Sequence, residues 1–195
     1  MNNTKAALPL FQNAIKAKPL FVEAHYNLAN LLKDLGRPEE AEVSYKKAIE
    51  FKPNFTEAYS NRGNLLKDLG RYDEAILCYK KAISLNPDIA EPHFNLGIIL
   101  YNRKKYKEAM EQFKLIDFQE SKNYILKCLY STNQKSDFYK QLDNMINQGE
   151  LNAVIGSLVS RSKIKYKINK SNPFCNDPLK YVLKTNLYET CDFKN

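Results

Sequence analysis

Two phrases of this chain are nearly the same: "NLANLLKDLGR" at 27–37 and "NRGNLLKDLGR" at 61–71 share nine of eleven residues after a displacement of 34. An interval of that length points to one supersecondary unit used repeatedly, each copy burying its apolar face against the next. Composition narrows the kind of unit. Gly and Pro are scarce, at 6 and 8 of 195 residues, while Lys, Leu, Glu, Ala and Asn dominate, which favours helix over a turn-rich β fold. With 44% hydrophobic residues and 12% aromatics, the chain has enough apolar material for a folded core.

Aligning 22–55, 56–89 and 90 onward keeps small and large residues in register. Ala29, Gly63 and Gly97 coincide, as do Ala41, Ala75 and Ala109; so do His25, Tyr59 and His93, Leu32, Leu66 and Leu100, and Tyr45, Tyr79 and Phe113. Apolar positions within a unit fall three, four or seven apart, the spacing of two amphipathic helices. Gly36 and Gly70 follow the first helix, where a left-handed backbone costs least without a Cβ. Pro53 and Pro87 end the second, because proline has no amide hydrogen and crowds the preceding turn. Ala or Gly on the facing sides lets the paired helices approach to the lower end of the usual ~8–10 Å range.

These residues resemble the tetratricopeptide repeat, a 34-residue helix hairpin with this pattern of small and aromatic positions, over roughly residues 4–117. The resemblance implies an all-α fold, a right-handed superhelix (α-solenoid) of antiparallel hairpins with an irregular C-terminal tail. Three units are expected, at 22–55, 56–89 and 90–117. Residues 1–21 match only the second helix of an incomplete unit, with Ala7, Phe11, Ala14 and Pro19 in the small, aromatic, small and proline places. A second helix without its partner leaves part of an apolar face uncovered, so either the native chain extends further upstream or this end is an edge that recruits something, self-association with a second copy among the candidates. Three positions depart from the pattern. Arg62 stands where leucine is usual and should weaken the apolar seam of the second unit; Lys104 replaces the turn glycine; Ile116 replaces the last alanine.

Residues 118–168 read as a degenerate hairpin turning near Asn133, with Tyr124, Leu126, Leu129, Phe138, Leu142 and Met145 on its apolar face, then a capping helix over "LNAVIGSLVSRSKI". Residues 169–195 read as a mostly irregular tail with one short helix near Leu179 to Leu183. Here "VIGSLVSRS" and "NPFCNDPLKYV" resemble the connector between such repeats and an iron and 2-oxoglutarate dependent oxygenase-like domain in bacterial proteins.

The net charge of +8 is unevenly spread. Basic against acidic residues number 3 to 0 over 1–21, 5 to 6 over 22–55, 5 to 5 over 56–89, 5 to 4 over 90–117 and 12 to 7 over 118–195. A solenoid tracking a phosphate backbone would repeat its positive charge with its fold, so nucleic acid is not the expected partner. The basic run "RSKIKYKINK", with Arg161, Lys163, Lys165, Lys167 and Lys170, reads as a solvated segment or an anionic-surface patch. No stretch has the apolar length of a signal peptide core or a membrane span, so a cytoplasmic protein without membrane partners is expected. Cys78, Cys128, Cys175 and Cys191 form no CxxC pair, and His25 and His93 both fall on core positions, so neither metal nor cofactor is expected. The glycine-rich, GxSxG and HExxH signatures of catalysis are missing, and a non-enzyme is expected.

The resemblance implies a concave wall built from first helices. On it Glu23, Glu57 and Glu91 form one row, Asn27, Asn61 and Asn95 a second, Asn30 and Asn64 a third, and Lys33, Lys67 and Tyr101 lie beyond. Tyr26, Ser60 and Phe94 vary between them. An amide offers a donor and an acceptor, so a row of asparagines can pair with the backbone of an extended peptide whatever its sequence. The row resembles the asparagine ladder in the repeats of O-linked N-acetylglucosamine transferase. It can equally bond to neighbouring helices of the stack, and one row can do both. The carboxylate clamp with which some of these repeats grip acidic tails maps onto Tyr26, Asn30, Asn61, Glu91 and Asn95; its three cations are absent and Glu91 would repel the ligand.

The expectation is therefore a non-catalytic scaffold that binds a protein or extended peptide through Tyr26, Asn27, Asn30, Lys33, Asn61, Asn64, Lys67, Phe94, Asn95 and Tyr101. The alternative is the substrate-presenting front half of an oxygenase-like or glycosyltransferase-like enzyme whose catalytic domain is absent.

Overall fold

The computed structural model describes residues 2–117, 119–150 and 153–166. Among them the chain forms ten α-helices and no strand: α1 (Asn2–Ala17), α2 (Val22–Asp34), α3 (Pro38–Phe51), α4 (Thr56–Asp68), α5 (Tyr72–Leu85), α6 (Ala90–Asn102), α7 (Tyr106–Lys114), α8 (Gln119–Ser131), α9 (Lys135–Asn147) and α10 (Ala153–Tyr166). They gather into two compact units, Met1–Ile99 and Leu100–Asn195. The expected tail at 169–195, with its short helix, Cys175, Cys191 and the "NPFCNDPLKYV" phrase, lies outside the described residues, as do Lys167 and Lys170.

Each first helix stops in the same way. Gly36 and Gly70 adopt φ of +71° and +75°. Gly36 N donates to Lys33 O (3.0 Å) and Arg37 N to Leu32 O (2.9 Å), and Gly70 and Arg71 repeat the pair onto Lys67 and Leu66 (3.0 and 2.8 Å). These bonds satisfy carbonyls that a helix end would otherwise leave unpaired. In the second unit Lys104 and Asn133, both at φ +60°, make the same turn without glycine. A side chain there costs about 1 kcal/mol relative to glycine. Lys104→Gly is expected to raise the unfolding free energy by about that amount, and Gly70→Ala to lower it similarly. A Cβ at Gly70 would meet nothing within 4 Å, so its effect reports the backbone alone. Urea denaturation of the two variants should move in opposite directions; shifts of the same sign would refute the shared turn.

The left-handed residues also set the register. Positions 36, 70 and 104 are spaced by 34, but 133 follows 104 by only 29. The shortening falls in α7, which has 9 residues against 14 in α3 and in α5. Aligned on Asn133, buried Leu129 joins Leu32, Leu66 and Leu100, and Glu120 joins Glu23, Glu57 and Glu91. Tyr124 then falls in the row of Asn27, Asn61 and Asn95, Lys127 in the row of Asn30 and Asn64, and Tyr130 in the row of Lys33, Lys67 and Tyr101.

In the first unit α2 packs on α3 and α4 on α5, with the small residues against tyrosine rings. A Cβ on Gly63 would lie 2.6 Å from Cε1 and 2.8 Å from Cδ1 of Tyr79, whose side chain is fully buried. Buried His25 and His93 bond through Nε2 to the carbonyls of Pro19 (2.8 Å) and Pro87 (2.9 Å). A carbonyl only accepts, so Nε2 carries the hydrogen and each ring pins a first helix to the turn before it. Leu8, Phe11 and Ile15 of α1 pack against the cluster of Leu28, Ala29, Leu32, Ala41, Tyr45 and Leu65, while Leu10 is exposed.

Arg62 requires a correction. Instead of merely weakening an apolar seam, it bonds to Glu42 of α3 (3.2 Å), which Lys46 (2.8 Å) and Arg71 also bind. Glu42 replaces an apolar residue just as Arg62 does, since Ile76 and Met110 occupy its place in the later units. The Glu42 side chain is only 10% exposed. Burial alone would raise its pKa, but hydrogen bonds from Arg71, Lys46 and Arg62 outweigh burial and hold it at about 2.

Candidate functional site

Residues 23, 26, 27, 30 and 33 of α2 recur one or two turns apart along a single helix face, and the same holds on α4 and at the start of α6. The structure binds much of this face together. Asn61 Nδ2 donates to Tyr26 Oη (2.8 Å) and to Asn30 Oδ1 (3.0 Å), while the Tyr45 hydroxyl donates to the same Asn30 oxygen. One unit later Asn95 Nδ2 donates to Asn64 Oδ1 (2.9 Å), which also accepts from Tyr79 Oη (2.8 Å). Asn64 Nδ2 in turn reaches Glu91 (2.8 Å), and Lys67 Nζ reaches Asn95 Oδ1 (2.9 Å). Each junction is thus a relay from a second-helix tyrosine, through an asparagine of its own hairpin, to an asparagine of the next.

The relay fixes which way each amide points. Both lone pairs of Asn30 Oδ1 are occupied, and both hydrogens of Asn61 Nδ2 are committed. Burial raises the pKa of the Tyr45 and Tyr79 phenols, so both act as donors throughout the ordinary pH range. Tyr26 is half-buried, with its ring 4.8 Å from that of Phe55.

Of the ten sequence-predicted positions, Tyr26, Asn30, Asn61, Asn64, Lys67 and Asn95 enter this network. Asn95 is 7% exposed, so its side chain is largely committed to the stack. Asn27 is exposed and Lys33 half-buried, both outside the network, and Phe94 is half-buried. Tyr101 belongs to the second unit, where it packs edge-on against Tyr106 and Tyr124, each with centroids 5.4 Å away.

Sequence reasoning treated Tyr45 and Tyr79 only as large core residues and missed them as heads of the relay. A signal was present. Where tyrosine gives way to Phe113, the corresponding asparagine gives way to Ile98, so hydroxyl and amide appear and vanish together.

Among the described residues no three His, Cys, Asp or Glu side chains gather as metal ligands, and no helix is long and apolar enough to cross a membrane. Cys78 and Cys128 are buried thiols, the latter pushed up to about 12 by burial.

Antiparallel hairpins recurring at this interval, joined through repeated side-chain relays, define an all-α helical-repeat protein. Family models described as tetratricopeptide repeats match residues 22–55, 44–76 and 63–103. Residues 22–103 therefore carry tetratricopeptide repeats. Solved structures agree in fold. A crystal structure of MamA is 22% identical, with 77% of this chain and 93% of that one covered and a TM-score of 0.67. YrrB, described as a TPR protein with an unusual peptide-binding site, is 21% identical over 80% of this chain and 84% of its own, with a TM-score of 0.71. The pilF protein of Pseudomonas aeruginosa is 24% identical over 85% and 78%, with a TM-score of 0.69. No curated protein matches the sequence.

Proposed function

We propose that this chain is a non-catalytic scaffold that binds an extended peptide segment of a protein partner along the face of α2, α4 and α6. The relay is the observation that carries this reading. With Asn30 Oδ1 saturated, its Nδ2 hydrogens have no partner among the described residues, and with Asn61 Nδ2 saturated, its Oδ1 is the atom left to accept. At this junction one donor and one acceptor therefore stand in fixed orientations, which suits a C=O and an N–H group of a peptide backbone, while at the next junction Glu91 and Lys67 occupy the equivalent atoms. Amides held in place lose little further freedom on binding, which favours affinity. YrrB, a TPR protein of similar fold with a peptide-binding site, is consistent with this use of the fold.

The test begins with a peptide selected from a random display library and labelled for fluorescence anisotropy. N-methylation of its backbone amides, one at a time, is expected to weaken binding about tenfold at the position that faces Asn61 Oδ1, the worth of one lost hydrogen bond. Asn27→Arg, on the same face but outside the relay, should weaken every such peptide without lowering Tm. Indifference to both changes would overturn the proposal.

A further inference from the structure

We propose that the second unit carries a subsite for the acidic side chain of a bound peptide, formed by Lys127 above Tyr124 and Lys165 above Tyr130. This rests on the peptide-scaffold reading and adds the chemistry of a preferred ligand.

Tyr124, Lys127 and Tyr130 are spaced by three along α8, so they share one strip of that helix. By the register of the left-handed turns this strip holds the positions that in the first unit carry Asn27, Asn30 and Lys33. The face that is rich in amides on α2 is aromatic and cationic on α8. Lys127 Nζ lies 4.5 Å from the Tyr124 ring centroid, and Lys165 Nζ of α10 lies 4.2 Å from that of Tyr130.

Lys127 is half-buried and pairs with no carboxylate among the described residues. Three acids of the same unit are engaged elsewhere: Asp117 (3.4 Å) and Glu150 (2.6 Å) bind Lys122, and Glu108 binds Lys105. A tyrosine face repays an ammonium for only part of what removing it from water costs. The imbalance is visible in the direction of its pKa, which burial lowers. A carboxylate arriving from outside would restore the missing counter-charge.

The rings argue against a nucleobase as the occupant. One face of Tyr124 is stacked on Phe113, with centroids 4.9 Å apart and planes at 20°, and this stack leaves room for Lys127 only on the opposite face. Lys165 covers Tyr130. Rings already capped by cations offer no platform for stacking bases, but an ammonium held over a ring is well placed to meet a carboxylate.

The test uses the full chain and two labelled 12-residue peptides, alike except for one central Glu or Gln and both C-terminally amidated. A Gln peptide with a free C-terminus and a short oligouridine serve as comparators. In anisotropy titrations the wild type is expected to bind the Glu peptide about tenfold more tightly than the Gln peptide. Lys127→Met, which keeps the aliphatic stem, should erase that gap while leaving the Gln peptide unaffected. Lysine-edited NMR should show the Lys127 pKa rising when the Glu peptide is added. A gap that survives Lys127→Met, or no gap at all, overturns the subsite. Preference for the free C-terminus, or oligouridine binding that depends on Lys127 while peptide binding does not, overturns the assignment to an acidic side chain. The scaffold reading is scored separately by the display-selected peptide, and failure of both the Glu and the Gln peptide to bind overturns the subsite.

Discussion

Gly63→Leu should lower the unfolding free energy by ~2–3 kcal/mol, because the added side chain must displace a ring that has nowhere to go. Even a single Cβ at this position would come within 2.6 Å of Tyr79, which is wholly buried and tethered through its hydroxyl to Asn64. The leucine would force the hairpin of α4 and α5 open and break the second relay with it. Lys67→Ala, one turn along the same helix, should change stability by less than ~1 kcal/mol, since it deletes one bond to Asn95 at the edge of the network. Urea titrations of both variants test the assigned packing, and equal losses would contradict it. Gly63→Ala should fall between, because better helix propensity offsets part of the clash by ~1 kcal/mol.

Glu42→Gln should be of comparable size, and its effect should depend on pH. The carboxyl is shifted from an ordinary 4.5 to about 2 by its hydrogen bonds to Arg71, Lys46 and Arg62, against the opposing effect of burial. A depressed folded-state pKa contributes stability that is complete above the unfolded value and is lost as pH falls through the folded one. After allowance for solvent screening the contribution is about 1–3 kcal/mol near neutrality. The gap in unfolding free energy between wild type and variant should therefore be widest at pH 6–7, narrow below ~4.5 and nearly vanish by ~2. A gap that is the same at every pH would assign the loss to packing rather than to the charge.

The parts of this architecture that could be read from the sequence are those determined within a hairpin. Turn glycines at 36 and 70, prolines at 53 and 87, and alanine or glycine facing tyrosine each follow from local helix geometry, and the structure has them in those roles. What escaped depends on partners in other segments. An asparagine has two donors and an acceptor, and which of them Asn61 uses is decided by Tyr26 and Asn30, 35 and 31 residues away. Arg62 looked like a defect because Glu42, its partner, lies 20 residues upstream in the previous unit. The row to which Lys127 belongs was hidden by the short α7, which shifts every later position by five against the 34-residue ruler.

The two relays have a consequence for how the units are ordered. The linkage from Tyr45 through Asn30 to Asn61 is the same as that from Tyr79 through Asn64 to Asn95, so these bonds do not distinguish one hairpin from another. The ion cluster does distinguish them. Glu42 meets Arg62 at one junction only, and a swapped stacking would set Glu42 against Leu96 in place of Arg62, with Lys46 of its own helix left as a partner. The relays act as a generic coupling, whereas this pair works as a key that favours docking of the second hairpin on the first.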